Sequence, residues 1–252
     1  MSGTVIITGG TKGIGAGIAR QFHDAGWSVL ITARNDNGFA GSLGERARFR
    51  AMEAGVATDH AAAVADALNW TGALDAYVNC AGFSGWRAVA DINEGFWQTM
   101  VATNLSGTLW GCQAAAEAFQ RTSRSGTIVN VSSLAGKRGS ARNTAYCATK
   151  FGVNGITQSL AKELGPAGIR VNAVCPVYVE TPGVLEALED PASPAGGGDV
   201  PAYLAEFAAA QAALQRLPRA DEVGALCLFL ASDAASAVTG QCINVDCGVL
   251  PQ

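Results

Sequence analysis

The sequence predicts a doubly wound α/β protein with a mostly parallel, seven-stranded sheet and helices on both faces. Two observations point there. Short apolar runs alternate with longer helical stretches along the whole chain, which is the pattern of strands joined by crossover helices. A glycine-rich turn separates the first apolar run from the first helical stretch.

Taken in order, the strand-like runs are Thr4–Ile7, Ser28–Thr32, Arg48–Met52, Asp75–Val78, Thr127–Val131, Arg170–Val174 and Cys242–Val245. The helical stretches between them are Gly15–Ala25, His60–Leu68, Phe96–Arg121, Ala148–Leu164 and Asp221–Ala231. The connection from Ala33 to Ala47 is too short for a full crossover helix, so a truncated helix is expected there. Asp190–Pro201 is rich in Pro, Gly and Ala and lies late in the chain. It predicts a mobile segment, part of a substrate lid at about 182–217, within a single domain spanning 1–252.

Composition bounds the function. The chain has 252 residues, 49% of them apolar and 15% charged, enough to bury a large core. With 17 basic and 21 acidic residues the net charge is -4, which speaks against phosphate-rich partners, so no nucleic-acid role is expected. No apolar run has the length of a membrane span, and Met1–Gly10 reads as a strand start, not a signal peptide. The seven cysteines include no Cys-x-x-Cys pair, so reduced thiols in a cytoplasmic protein are expected, with no disulfide framework and no metal site. His23 and His60 join no constellation and are expected at the surface or at helix caps.

Three segments carry chemistry. In Thr8-Gly9-Gly10-Thr11-Lys12-Gly13-Ile14-Gly15, glycines permit a sharp turn and bring backbone N–H groups and a helix N-terminus to a pyrophosphate. The second strand ends at Arg34, where an acid would select NAD and an arginine accommodates a 2′-phosphate. With Lys12 nearby, NADP(H) is the expected cofactor and NAD(H) the alternative. The bland reading of both cations is solvated surface charge. Third, Tyr146-Cys147-Ala148-Thr149-Lys150 sets a phenol and an ammonium four residues apart on one helix face. A nearby cation favours phenolate, so Tyr146 is a candidate general acid/base. Ser133, at the carboxyl end of the fifth strand, is placed to hold a substrate oxygen.

Together these motifs resemble the compact short-chain dehydrogenase/reductases, a family with a Rossmann-like fold. The match adds Asn79-Cys80-Ala81-Gly82, where the family has Asn-Asn-Ala-Gly, Asn104-Leu105-Ser106-Gly107, Pro176–Thr181 and Val238-Thr239-Gly240-Gln241. The resemblance implies roles. Asn104, Ser133, Tyr146 and Lys150 are the catalytic set, with Lys150 lowering the Tyr146 pKa and binding ribose. Asn104 holds a water that links Lys150 to solvent. Gly9, Thr11, Lys12, Gly13, Ile14, Gly15, Arg34, Asn79, Ala81, Gly82, Pro176, Val179 and Thr181, with Tyr146 and Lys150, bind cofactor. Trp86 and Tyr178 wall the substrate pocket beside Ser133. The partner is a small carbonyl or alcohol, and the assembly a homotetramer.

The sequence departs from the family at Val177 and Cys247, where glycine is usual, and at the third strand, which lacks the usual aspartate. Val177 is expected to crowd the nicotinamide loop. Lys137, Arg138 and Arg142 lie between Ser133 and Tyr146. They are read either as attracting an anionic substrate or as solvated loop cations. Segments around Asn172–Pro176 resemble 3-oxoacyl-carrier and polyketide ketoreductases, and polyol dehydrogenases share much of the pattern. The leading reading is an NADP(H)-dependent ketone reductase. The alternatives are an NAD-dependent sugar or polyol dehydrogenase and a dinucleotide sensor without turnover.

Overall fold

The order of the strands fixes where the site falls. A computed structural model describes residues 3–122 and 124–251. In it β1 (Thr4–Thr8), β2 (Ser28–Ala33), β3 (Ala47–Ala51), β4 (Ala76–Asn79), β5 (Gly126–Val131), β6 (Ile169–Pro176) and β7 (Cys242–Val245) form one sheet. All pairings are parallel, in the order β3-β2-β1-β4-β5-β6-β7. The direction of winding reverses between β1 and β4. Ligands of open parallel sheets bind outside the carboxyl ends of the strands at such a switch. Those ends are Thr8, Asn79, Val131 and Pro176.

The crossovers are α1 (Gly13–Asp24), the one-turn α2 (Phe39–Leu43), α3 (Ala57–Thr71), α4 (Glu94–Met100), α5 (Gly107–Arg121) and α6 (Thr144–Leu164). After β6 come α7 (Pro182–Leu188), α8 (Val200–Gln211) and α9 (Ala220–Ala231). Strand residues are buried on both faces, and alternate side chains feed two cores. Ile6, Leu30, Tyr77 and Ile128 pack with α3, α5 and α6, while Val5, Ile7, Ile31 and Val129 pack with α1 and α9. That two-sided burial is why the strands read as continuous apolar runs.

The structure corrects several expectations. The stretch 96–121 is not one helix: Val101–Ser106 is a π-helical turn between α4 and α5. The third strand is registered one residue earlier than expected. The span expected as a lid, 182–217, carries α7 and α8, with the Pro- and Gly-rich stretch between them in turns. Each starts at a capped turn: Thr181 accepts from the Val184 N–H, Asp199 from the Ala202 N–H, and each cap is followed within two residues by a proline. His60 is neither at the surface nor a cap. It is 1% exposed, with Nε2 at 2.8 Å from the Ala54 carbonyl and Nδ1 at 2.7 Å from the Tyr77 hydroxyl. Burial lowers its pKa, so the ring bridges α3 and β4 in the neutral form. No helix among the described residues is long and apolar enough to cross a membrane, and all seven cysteines are free.

Helices α1 and α9 cross where Gly17 meets Ala220 and Gly224 meets Gly17. A Cβ on Gly224 would lie 2.9 Å from the Gly17 carbonyl oxygen and 3.0 Å from the Ile18 Cα, so the helices must separate to admit one. Gly224→Val is expected to destabilise the fold by roughly 1–3 kcal/mol. At about 2–4 °C per kcal/mol for a chain of this size, calorimetry should show the melting point fall accordingly. An unchanged melting point would mean that the crossing is looser than described.

Candidate active site

The glycine turn leaves β1 and doubles back into α1. Gly9 has φ +66° and Gly13 φ +55°, both left-handed. A Cβ on Gly9 would stand 2.8 Å from the Ala81 Cα, and one on Gly15 would overlap the Gly9 carbonyl oxygen. A Cβ on Gly13 would reach 3.3 Å from the Thr181 Cβ, so the β1 turn and the β6 turn converge. Thr8 Oγ1 accepts from the backbone N–H groups of Cys80 and Ala81, both at 3.0 Å, which pins the β4 turn against the glycine turn. The sequence reading missed Thr8. A polar residue closing an otherwise apolar strand is the signal.

Beyond β2 the cations stand apart from acids. Lys12 and Arg34 are exposed, and neither has a carboxylate partner among the described residues. The first acid after β2, Asp36, turns back to accept from the Gly38 N–H at 2.9 Å, and Asn37 donates to the Thr11 carbonyl at 2.9 Å. This cradle fits a phosphorylated dinucleotide. It has backbone N–H groups for a pyrophosphate, two cations without carboxylate partners among the described residues for a 2′-phosphate, and an acid, Asp36, that is engaged in its own turn.

The catalytic candidates come together at the ends of β4 and β5. Ser133 Oγ accepts from the Ala135 N–H at 3.1 Å and donates to the Pro176 carbonyl at 3.5 Å, close enough to the Tyr146 hydroxyl to favour its ionised form. Lys150 is 6% exposed; its Nζ donates to the Val131 carbonyl at 2.8 Å and lies 5.6 Å from the centre of the Tyr146 ring. Asn104, fully buried in the π turn, accepts from the Phe83 N–H at 3.0 Å and donates to the Phe83 carbonyl at 2.8 Å. A Cβ on Gly82 would meet Asn104 Oδ1 at 3.1 Å and Lys150 Nζ at 3.8 Å, so these three share one corner. The irregular turn sets Asn104 apart from the straight helical face, a use to which π turns are often put.

The protonation pattern differs from the expectation. Lys150 does not bring Tyr146 down. Burial dominates, with partial relief from Ser133, and pushes the phenol up to about 12. Burial also lowers Lys150 to about 8. Near neutral pH the pair is therefore a neutral phenol beside an ammonium only weakly retained.

Other candidates fall in different places. Asn79 faces away from the cradle: its Nδ2 donates to Asn130 Oδ1 at 2.9 Å, and Asn130 continues to Thr157 at 3.0 Å, so it braces β4, β5 and α6 from inside. Ile14, in the first turn of α1, packs against the core, and Val179 is 1% exposed. Pro176 ends β6, its carbonyl 3.5 Å from Ser133 Oγ. Val177 joins an apolar cluster with Leu134, Cys175 and Phe207, and its φ is not left-handed, so the missing glycine causes no strain there. Cys247 does carry the strain, at φ +55°. Tyr178 keeps part of its surface exposed, but Trp86 is 3% exposed and packs with Leu188, Val200 and Leu204 under α7 and α8, so it supplies no open wall. Arg138 and Arg142 are exposed, whereas the Lys137 charge reaches Cys175 and Cys242. Cys80 is a protonated thiol raised to about 12 by burial, and Cys147 is buried.

The family model described as Enoyl-(Acyl carrier protein) reductase matches residues 9–250. The short-chain reductase protein NovJ of Streptomyces niveus is 34% identical over 249 residues, 96% of this chain and 92% of that one. The 3-oxoacyl-acyl-carrier-protein reductase FabG of Chlamydia muridarum is 32% identical over 251 residues, 97% of this chain and 96% of that one. A variant of the actinorhodin polyketide ketoreductase, solved with NADPH, superposes with a TM-score of 0.91 at 32% identity, covering 98% of this chain and 97% of that one. A parallel sheet with this strand order, closed at its carboxyl edge by Ser133, Tyr146 and Lys150, thus belongs to a nicotinamide-dependent oxidoreductase of the short-chain dehydrogenase/reductase family.

Lys150 provides a direct check. Its signal in a nitrogen-detected NMR titration of the cofactor-free protein is expected to lose its proton near pH 8, against about 10.4 for a free lysine. The sign follows: between these values the unfolded chain holds the extra proton, so the Lys150 contribution to stability rises as pH climbs from 8 towards 10.4. A titration at the free value would show that Lys150 is hydrated.

Proposed function

We propose that the chain reduces a ketone to a secondary alcohol with NADP(H), and that Tyr146 is the proton donor. The observation that carries this reading is the buried Tyr146 hydroxyl, held in its neutral form beside Ser133 and Lys150 at the carboxyl edge of the sheet. Reduction needs a proton donor at the carbonyl oxygen, and a phenol held at about 12 is in the donor form across the neutral range. Bound there, the nicotinamide would supply the hydride. Ser133 holds the substrate oxygen against the Tyr146 hydroxyl. Lys150, which commits one of its three N–H donors to Val131, is the residue to bond cofactor ribose and to return positive charge beside Tyr146 as the proton leaves. Asn104 fixes the Phe83 backbone and so the wall of the cleft next to Lys150.

The 2′-phosphate of NADP(H) is assigned to Lys12 and Arg34, and the pyrophosphate to Gly9, Thr11, Gly13 and Gly15. The nicotinamide side is assigned to Pro176, Val179 and Thr181. The relatives named above support a carbonyl substrate; two carry ketoreductase or oxoacyl reductase names, and one was solved with NADPH. Residues 1–252 act as one cytoplasmic unit. Exposed Trp97, Leu109 and Phe151, on α4, α5 and α6, are the apolar faces that a homotetramer would cover.

Two outcomes test the reading. Tyr146→Phe is expected to lose about 10²–10⁴-fold in ketone reduction while calorimetry still detects NADPH binding, and retained turnover would refute the assignment. An enoyl ester serves as the control substrate, because the matched family model is described by enoyl reduction. NADPH is expected to bind more tightly than NADH, and Arg34→Ala to lose roughly tenfold in NADPH affinity with little change for NADH. Equal affinities in the unmodified protein would remove the role given to Arg34.

A further inference from the structure

His60 takes no part in the reaction above, yet its ring has a fixed arrangement of protons. The Ala54 carbonyl can only accept, so its 2.8 Å bond places a proton on Nε2. Burial keeps the ring neutral, so Nδ1 carries none and accepts from the Tyr77 hydroxyl at 2.7 Å. Burial also keeps the Tyr77 phenol protonated and able to donate. One tautomer thus satisfies all three groups where water does not stand in: His60 is 1% exposed and Tyr77 0%.

Both partners of the ring form the seat of α5. A Cβ on Gly107 would stand 2.6 Å from the Ala54 carbonyl oxygen, and one on Gly111 would stand 2.9 Å from the Tyr77 ring. These glycines are four residues apart and share one helix face. A Cβ on Gly55, the neighbour of Ala54, would lie 3.4 Å from the Ala102 carbonyl oxygen in the π turn. The loop after β3, Tyr77 and the start of α5 therefore meet with no side chain between them to take up a shift. The π turn that runs into Gly107 carries Asn104, which shares its corner with Gly82 and Lys150.

From this geometry, and resting on the reading that gives Asn104 and Lys150 to ketone reduction, we propose that His60 is a positioning residue. It fixes Ala54 and Tyr77 relative to each other and so seats α5. The π turn then presents Asn104 to the Phe83 backbone and closes the β4 turn beside Lys150. A leucine in this place would serve packing alone. It would leave the Ala54 carbonyl and the Tyr77 hydroxyl buried without partners, and α5 rests on both residues.

The test reads Lys150 in the full, cofactor-free chain by nitrogen-detected NMR. His60→Leu is expected to let water into the corner and to move the Lys150 midpoint up from near pH 8 to about pH 9. Tyr77→Phe keeps the ring against Gly111 and is expected to move the midpoint the same way by less. His60→Gln returns an amide donor and a carbonyl acceptor, and should hold the midpoint near that of the unmodified protein. With NADPH and ethyl acetoacetate as the probe ketone, His60→Leu is expected to lose about three- to tenfold in kcat while the KM for NADPH changes by less than about twofold. A role in stability alone would lower the melting point of His60→Leu and leave the Lys150 midpoint in place, and that result overturns the proposal. Should His60→Leu not fold, an unmoved midpoint in Tyr77→Phe overturns it instead. His60→Gln shifted as far as His60→Leu would overturn the part given to the two hydrogen bonds. The Lys150 titration needs no turnover, so it is separate from failure of the reductase reading, which would appear as full turnover by Tyr146→Phe.

Discussion

An ammonium inside the protein is the constraint from which the site follows. Lys150 is almost fully buried, and a buried cation is tolerated only where oxygen dipoles meet it. The Val131 carbonyl at the end of β5 does so directly. Ser132 then donates from Oγ to the Lys150 carbonyl at 3.2 Å, and the absence of a Cβ at Gly136 lets that stretch of backbone close on α6. The end of β5 and the start of α6 are thereby joined at several points. Ser133 and Tyr146 sit one residue and one helical turn from those points, so their nearness is a product of how the lysine is held.

The same burial sets the acid/base behaviour. Desolvation acts on both ionisable groups, favouring the neutral phenol and weakening the ammonium. The cost is shared with the β4 turn, where Gly82, Asn104 and Lys150 occupy one corner, and with the π turn that brings Asn104 there. A straight helix through 101–106 would carry Asn104 on a different face. The irregular backbone, the buried cation and the raised phenol are therefore three views of a single packing arrangement.

Much of this was legible in the residues. Val5–Ile7 and Val29–Ile31 announce strands because both faces of the sheet are covered. The Tyr146/Lys150 spacing shows a shared helix face. Less legible were features set by contacts distant in sequence. The π turn at Val101–Ser106 interrupts an apolar pattern that reads as one helix. The α8 sequence is so rich in alanine that its stripe of Tyr203, Leu204, Phe207 and Ala208 hides in a uniform run, though the Asp199 cap was a readable sign. His60 becomes a bridge only once Tyr77 and Ala54 are beside it. The direction of the Tyr146 shift depends on how deep the pair lies, and no spacing in the sequence reports depth.

The segment above the site packs on its own terms. Trp86, Leu188, Val200 and Leu204 make a small apolar cluster distinct from the two that flank the sheet. It is joined to the body by an Arg87–Asp190 ion pair at 2.5 Å and by the Leu214 N–H on the Cys247 carbonyl at 3.1 Å. Such a division separates two kinds of substitution. Leu188, Val200 and Leu204 face that local core, whereas Phe207 on α8 packs with Leu134 and Cys175 of the body. A change at Phe207 is therefore felt next to Ser133, whereas one at Leu188 or Val200 is met first by the segment's own core.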